Sequence, residues 1–434
     1  MSVTGSQSLD LSLLRRDLHK RLMSSFDFRD ADQADRARLE ADCRRHLESL
    51  VGSSCPQLEA ATRAQLIEWV LDDAFRLGPL EPLLADPEVT DVLVTGPHRI
   101  FVERHGQLHD TNAQFRDDAH LMHVIQRVVR NAGRRIDERS PMVDARLPDG
   151  SRVNAIIPPV AIDGPQLSIR RFPARPLTLE RLAELGTVPA QCADLIRGAV
   201  RGRLNIIFSG GAGVGKTTLL NAASASIGPM ERVITIEDAA ELQLRGRHVV
   251  RLETRPANVE GVGAVEARDL VRNALRMRPD RIIVGECRGA EALDMMQAMN
   301  TGHEGSMTTL HANSAADTIA RLEMMLAMGG FDVPIRVIRE YMASAIQLVV
   351  HLTRLPDGRR VMSEAVEVSG ADADAVHLRT IFAFDPSHAG DRGVSGAFRS
   401  TGERPACLTR LATRGVHLDP SCFAKGPLAV GPAS

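Results

Sequence analysis

Gly210-Gly211-Ala212-Gly213-Val214-Gly215-Lys216-Thr217 follows an apolar run, Leu204 to Phe208, and opens a helical one, Thr218 to Ile227. The stretch fits GxxxxGK[ST] in the strand–loop–helix context which that pattern requires. Its glycines let successive backbone N–H groups turn inward around phosphate oxygens. The helix start adds partial positive charge. Lys216 is placed to reach the β- and γ-phosphates and Thr217 to ligate Mg²⁺, with Thr218 beside it in the first turn. ATP with Mg²⁺ is therefore the expected cofactor of Gly210 to Thr218. Of 53 basic residues only Lys20, Lys216 and Lys425 are lysines. A lysine in this loop of an arginine-rich chain has a reason, because arginine does not easily act as a compact point charge.

Outward from the loop, β-rich runs alternate with helical ones: Leu204 to Phe208, Val233 to Ile236, Val249 to Leu252, Ile282 to Val284 and Ser306 to Leu310. That alternation predicts a mostly parallel sheet covered by helices. Strands near Ala345 to Leu352, Arg360 to Val368 and Val376 to Phe384, with a turn at Pro356-Asp357-Gly358, extend it as an antiparallel addition. Three segments carry further chemistry. Thr235-Ile236-Glu237-Asp238 ends one strand in carboxylates. Arg278-Pro279-Asp280-Arg281-Ile282-Ile283-Val284-Gly285-Glu286 ends another in Gly-Glu, and Thr301 to Asn313 combines glycines, hydroxyls, His303 and His311. Strand carboxyl ends gather around one crevice in an open α/β sheet, so all three are expected to face the nucleotide. Glu237 and Glu286 are the candidates for orienting water and for holding Mg²⁺ through its water shell.

The amino-terminal side reads differently. Leu11, Leu14, Leu18 and Leu22, then Leu39, Cys43, Leu47 and Leu50, then Leu66, Ile67, Val70, Leu71, Ala74 and Phe75 recur at helical spacing. They predict a helical bundle over residues 1–77. From 78 to 175 short strands and a helix at Leu121 to Val129 predict a mixed α/β domain. Leu121 to Arg181 holds 11 Arg against six Asp or Glu, a basic excess that suits an anionic partner. Arg171 to Leu177, with Pro173 and Pro176, reads as a linker. Residues 176–384 form the nucleotide-binding domain, and 385–434, rich in Gly, Ser, Pro and Arg, read as a loosely structured tail. The fold class is α/β.

Composition removes several alternatives. With 44% hydrophobic and 25% charged residues the chain reads as globular. No stretch approaches the roughly 18 apolar residues of a membrane span. Met1 to Asp10 is polar and lacks an apolar signal core, so a cytoplasmic place is expected. Six cysteines stand far apart without CxxC, which suggests neither zinc nor disulfides. A net charge of −2 and 3% aromatics argue against nucleic acid as a partner.

These motifs together resemble the secretion-superfamily traffic ATPases of type II and type IV secretion and type IV pili. The likeness covers roughly residues 60 to 384 and is greatest to the CpaF type of tight-adherence (Flp) pili. Ser140 to Asn154 and Leu167 to Phe172 look like the family's N-terminal domain. A four-cysteine insertion after the Gly285-Glu286 segment, carried by some members, is missing. The resemblance implies a RecA-like ATPase domain and a mobile N-terminal domain. It also implies a ring of six subunits bound peripherally to the inner membrane at a platform protein. Glu237 would polarise the water and Glu286 support the metal, although the residues alone leave the reverse open. His311 would sense the γ-phosphate, with His303 the second choice. Arg152 and Arg170 would bring positive charge to the phosphates, with Arg135, Arg139, Arg146 and Arg171 behind them. Rival readings are a small-molecule kinase, a DNA-translocating or DNA-transfer motor, and a non-hydrolysing nucleotide switch. The kinase has no use for the Thr301 to Asn313 box, and the switch no need of both glutamates.

Overall fold

Leu18, Leu22, Cys43, Leu47, Leu66, Val70 and Leu71 are buried together at the helical spacing read from the sequence, with Val51 buried where the sequence pattern predicts Leu50, which is partly buried. The computed structural model describes residues 11–26, 33–104, 106–171, 176–244, 246–255, 257, 262–329, 333–388 and 394–428. Phe172 and the middle of the expected linker, 172–175, lie outside these, as do Met1 to Asp10. The described residues belong to two compact units, Met1–Ala174 and Arg175–Ser434.

In the first unit, helices α1 (Leu11–Ser25), α2 (Gln33–Ser54) and α3 (Ala60–Phe75) enclose that bundle core. A short α4 (Glu81–Ala85) leads into β1 (Val89–Thr95), β2 (Ile100–Arg104), β3 (Gln107–Asp110), α5 (Asp118–Asn131), β4 (Met142–Arg146), β5 (Arg152–Ile156) and β6 (Gln166–Arg170). The six strands form one sheet in the order β3-β2-β1-β6-β5-β4, and its contacts are antiparallel. Alternation sends Val92, Val94, Val153, Ala155, Leu167 and Ile169 to the face covered by Leu121, Val124, Ile125 and Val128 of α5. Asp117 caps α5 by accepting from the His120 N–H at 2.8 Å. Arg127 of α5 donates to the backbone carbonyls of Asp73 and Ala74 and so ties bundle and sheet into one unit.

The second unit contains α6 (Leu179–Glu184), α7 (Ala190–Arg201), β7 (Ile206–Gly210), α8 (Lys216–Ser224), β8 (Val233–Glu237), β9 (Val249–Glu253), α9 (Ala267–Ala274), β10 (Arg281–Cys287), α10 (Glu291–Asn300), β11 (Met307–His311), α11 (Ala315–Met328) and α12 (Ile335–Ala345). After these come β12 (Leu348–Arg354), β13 (Arg360–Ala371), β14 (Val376–His388), β15 (Val394–Ser400), α13 (Cys407–Thr413) and β16 (Gly426–Leu428). Ten strands run in the order β16-β15-β14-β13-β12-β7-β11-β10-β8-β9. From β12 to β9 the pairings are parallel; from β12 to β16 they are antiparallel. Ile206 and Phe208 enter the core on one face and Ile207 the core on the other, so β7 is buried on both sides.

The tail corrects the sequence reading. Residues 394–428 are not loose: they add β15, α13 and β16. Phe398, Leu411 and Phe423 are buried in the same core as Phe208 and Phe382. Glu367, itself buried, accepts from the backbone N–H groups of Ala406 and Cys407 and fixes the start of α13. Gly- and Pro-rich composition hid three widely spaced apolar anchors.

Arg281 at the start of β10 is fully buried and holds Glu231 through Nε at 2.8 Å and a terminal nitrogen at 2.9 Å. Removing one partner of such a pair strands the other charge. Glu231→Ala is therefore expected to cost about 3–5 kcal/mol, seen as a lower urea midpoint by circular dichroism; a midpoint equal to the parent's would refute a stabilising pair. Burial alone would raise the Glu231 pKa, but the Arg281 bonds and charge hold it below the ordinary value. Its stabilisation is then present above the unfolded-state pKa and lost as pH falls through the lower folded value.

Candidate active site

Gly210 ends β7 and the loop turns at once. Gly213 and Gly215 have φ of 69° and 97°, the left-handed region that side-chain-bearing residues rarely adopt. Gly215 is the residue immediately before α8, so Lys216 and Thr217 stand in the first helical turn, where N–H groups have no intrahelical partner. The Lys216 side chain folds back over the loop: Nζ donates to the carbonyls of Gly210 at 3.1 Å and Gly211 at 2.6 Å. Burial lowers its pKa, an effect the Glu286 charge opposes. Beneath the loop, Ser209 Oγ meets His351 Nδ1 at 2.9 Å across the β7–β12 pairing. His351 is buried, and burial lowers its pKa against the pull of Glu364. Sequence reading missed it, because it sits inside an apolar strand with no motif around it.

The parallel pairings bring the strand ends together as expected. His311 is the register partner of Gly210, and β10 runs between β8 and β11. Glu237 at the end of β8 is 4% exposed. Its Oε2 accepts from the N–H groups of Glu241 at 2.6 Å and Leu242 at 2.8 Å. Its Oε1 is buried and has no hydrogen-bond partner among the described residues. Burial raises the Glu237 pKa more than the backbone donors lower it. Gly285 makes room for this carboxylate, since a Cβ there would lie 2.8 Å from Glu237 Cγ. Glu286 has different neighbours. Arg288 donates to its Oε2 at 2.5 Å and His311 Nδ1 meets its Oε1. Arg288 also lies 3.6 Å from Asp238. Burial would raise the Glu286 pKa, but Arg288 and His311 bring it below the ordinary value. One glutamate is thus a buried carboxylate with one oxygen lacking a partner among the described residues; the other is an ion-paired charge beside Lys216.

The box from Thr301 to Asn313 divides in two, which corrects the expectation that all of it faces the nucleotide. His311 lies at the carboxyl end of β11 beside Gly210. His303 precedes β11 and stands at the opposite sheet edge, because the strand between them spans about 16 Å. The first half forms a turn: Asn205 Oδ1 accepts from Gly305 N at 2.8 Å and Ser306 N at 3.0 Å, and Ser306 Oγ donates to the His303 carbonyl at 2.7 Å. Its glycines serve the turn, with φ of 93° at Gly302 and 86° at Gly305.

In the first unit, register places Arg152 opposite Arg170 on one side and opposite Arg146 on the other. Three arginines therefore form a row across β4, β5 and β6. Directly opposed like charges are unfavourable in a sheet. Asp91, partner of Arg170 on β1, accepts from Arg170 Nε at 2.9 Å and offsets part of it.

The residues present suit a magnesium nucleotide: a glycine loop with left-handed turns at Gly213 and Gly215, a buried lysine at a helix start with Thr217 after it, and two carboxylates in unlike environments. Residues 73–384 match the Type II/IV secretion system protein family. Among curated proteins, "Putative conjugal transfer protein Rv3659c" of Mycobacterium tuberculosis (strain H37Rv) is 42% identical, covering 73% of this chain and 90% of its own. "Type IV secretion system protein PtlH" of Bordetella pertussis is 35% identical, covering 64% of this chain and 90% of its own. The crystal structure of the pilus retraction motor PilT with bound ADP superposes with a TM-score of 0.51 at 19% identity, over 78% of this chain and 85% of that one; it shares the fold. With the matched region spanning both the arginine row and the phosphate loop, the chain belongs to the type II/IV secretion system family.

Proposed function

We propose that the protein is an ATP-hydrolysing motor that works as a ring of six at the cytoplasmic face of the inner membrane, driving a pilus or secretion apparatus through a platform protein. The observation that carries this is the meeting of Glu237, Glu286 and His311 beside the Gly210–Lys216 loop, since a binding switch needs only the loop. Thr217 and Glu286 would hold Mg²⁺, which when bound would neutralise charge on the phosphates. The other roles belong to side chains. Lys216 leaves the loop carbonyls for the phosphates. Glu237 takes a proton from the attacking water at Oε1, the oxygen that has no partner among the described residues. His311, joined to Glu286, reports the state of the phosphate end. Arg152 and Arg170 bring positive charge to the phosphates, from the same chain or a neighbour. The Flp-pilus, CpaF-like assignment is supported by the missing four-cysteine insertion. Among the described residues no helix is long and apolar enough to cross a membrane.

The name of the conjugal transfer relative favours a second reading, a motor serving DNA transfer. ATP hydrolysis by the full chain, measured against protein concentration with and without single-stranded and duplex DNA, separates the two. A specific rate that rises with concentration and ignores DNA supports the pilus or secretion motor. Strong stimulation by DNA moves the assignment to the second reading, and no turnover at any concentration removes both. Mixing Arg152→Ala with Lys216→Ala chains adds a test of the shared site: recovery of turnover is expected if the arginines act on a neighbour, and none if they act within one chain.

A further inference from the structure

Lys20, one of only three lysines, has no part in the site above. It borders a cavity of about 700 Å³ in the first unit, between α1, α3 and the start of α5. Arg16 and Lys20 face it from consecutive turns of α1, and Arg116 from the residue before the α5 cap. None of these three cations makes an ion pair with a described residue, in a chain where many arginines are paired. Of the two acids at the rim, one is ion-paired and the other carries a single backbone hydrogen bond. Asp73 is gripped by Arg15 at 2.7 and 3.2 Å, and Asp117 accepts from the His120 N–H as the cap.

His120 completes the wall beside Asp73. It is 5% exposed and lines the cavity. Its Nδ1 accepts from the Arg116 N–H at 3.4 Å, which puts the ring proton on Nε2. Nε2 is buried and faces Asp73 Oδ1 at 3.5 Å, without a hydrogen bond among the described residues. Burial lowers the pKa of both His120 and His19 to about 4, so both rings enter the cavity neutral. The lining thus offers three cations without an ion pair among the described residues, against the single carboxylate of Asp117 that no cation holds, around a volume in the range of small-molecule sites.

We propose that this cavity binds a small anion bearing a phosphate group. Three cations exceed what one carboxylate would balance, and guanidinium forks match phosphate oxygens. The group could belong to a soluble phosphate ester or to a lipid headgroup, and the test separates them. Trp69 on α3, the only tryptophan, lies under the Arg15 guanidinium at 5.7 Å, and Arg15 holds Asp73 at the cavity wall. Its fluorescence is a local reporter.

The experiment uses the full chain carrying Lys216→Ala, which silences the phosphate loop. It is titrated with inorganic pyrophosphate without Mg²⁺, and separately sedimented with phosphatidylglycerol vesicles against phosphatidylcholine vesicles. A saturable change in Trp69 emission with pyrophosphate, weakened by about tenfold or more when Lys20→Gln and Arg116→Gln are added, is the expected result. Sedimentation with phosphatidylglycerol alone, lost in the same variant, identifies a lipid headgroup as the source. Both substitutions are on exposed side chains, and unchanged circular dichroism and Trp69 emission before titration will show that the unit is folded. Binding that is absent in both arms, or equal in parent and variant, overturns the proposal.

Discussion

Lys216→Ala will reduce ATP hydrolysis by about 10²–10³-fold or more, the range lost when one charged or hydrogen-bonding partner of a transition state is removed. Lys216 supplies a point charge that only the loop can place, and no other lysine lies nearby in sequence to replace it. The variant should still fold. Nζ donates to two loop carbonyls, which turn toward water when it is gone. Removal also relieves a buried ammonium whose pKa burial depresses. Turnover by single-turnover assay, with circular dichroism as the fold control, decides it. A folded variant that hydrolyses at the parental rate would remove the loop from the chemistry.

Glu237→Gln should cost about 10²-fold or more in turnover while ATP binding is kept, the scale of a lost general base. Gln keeps an oxygen for the Glu241 and Leu242 N–H groups and loses the basic lone pair at the open position. Glu286→Gln should also lower turnover, by releasing His311 and Arg288 from their shared carboxylate. The two are told apart by pH. A general base must be deprotonated, so rate falls as pH drops through its pKa. If Glu237 is the base, the acid limb of kcat lies above the ordinary glutamate value, because burial raises it. If Glu286 is the base, the limb lies below that value, because its ion pairs depress it. An acid limb below the ordinary value in the parent, with near-normal turnover in Glu237→Gln, would exchange the roles proposed for the two residues.

The phosphate loop was legible in the sequence because its chemistry lies in the backbone: glycines at fixed spacing fix the conformation whatever surrounds them. Glu237, Glu286 and His311 were legible because each closes an apolar run, and parallel strands deliver such ends to one edge. The same logic misplaced His303. Thr301 to Asn313 is continuous in sequence, but a strand runs through it, and a strand separates its two ends in space. Asn205 was invisible for the opposite reason. It looks like an ordinary strand-start residue, and its bonds reach Gly305 and Ser306 about 100 positions away. In the tail, Phe398, Leu411 and Phe423 are too widely spaced for any period to show. They are recognisable as core only once β13 and β14 exist to receive them.

The place of β7 has a consequence for how the protein is made. Its two neighbours are β11 and β12, whose partner residues follow Ile206 by about 100 and about 140 positions. At roughly 5–20 residues per second, a ribosome reaches β12 some 7–28 s after completing β7. For about the first two-thirds of that interval the strand that ends in the phosphate loop has neither flank, and until its end Ser209 lacks His351. The hairpin of β13 and β14, by contrast, closes from local contacts as soon as it emerges. The nucleotide site is thus among the first parts of the second unit to be synthesised and among the last to be assembled, and a nascent chain must carry its loop unformed while the rest of the sheet is still being translated.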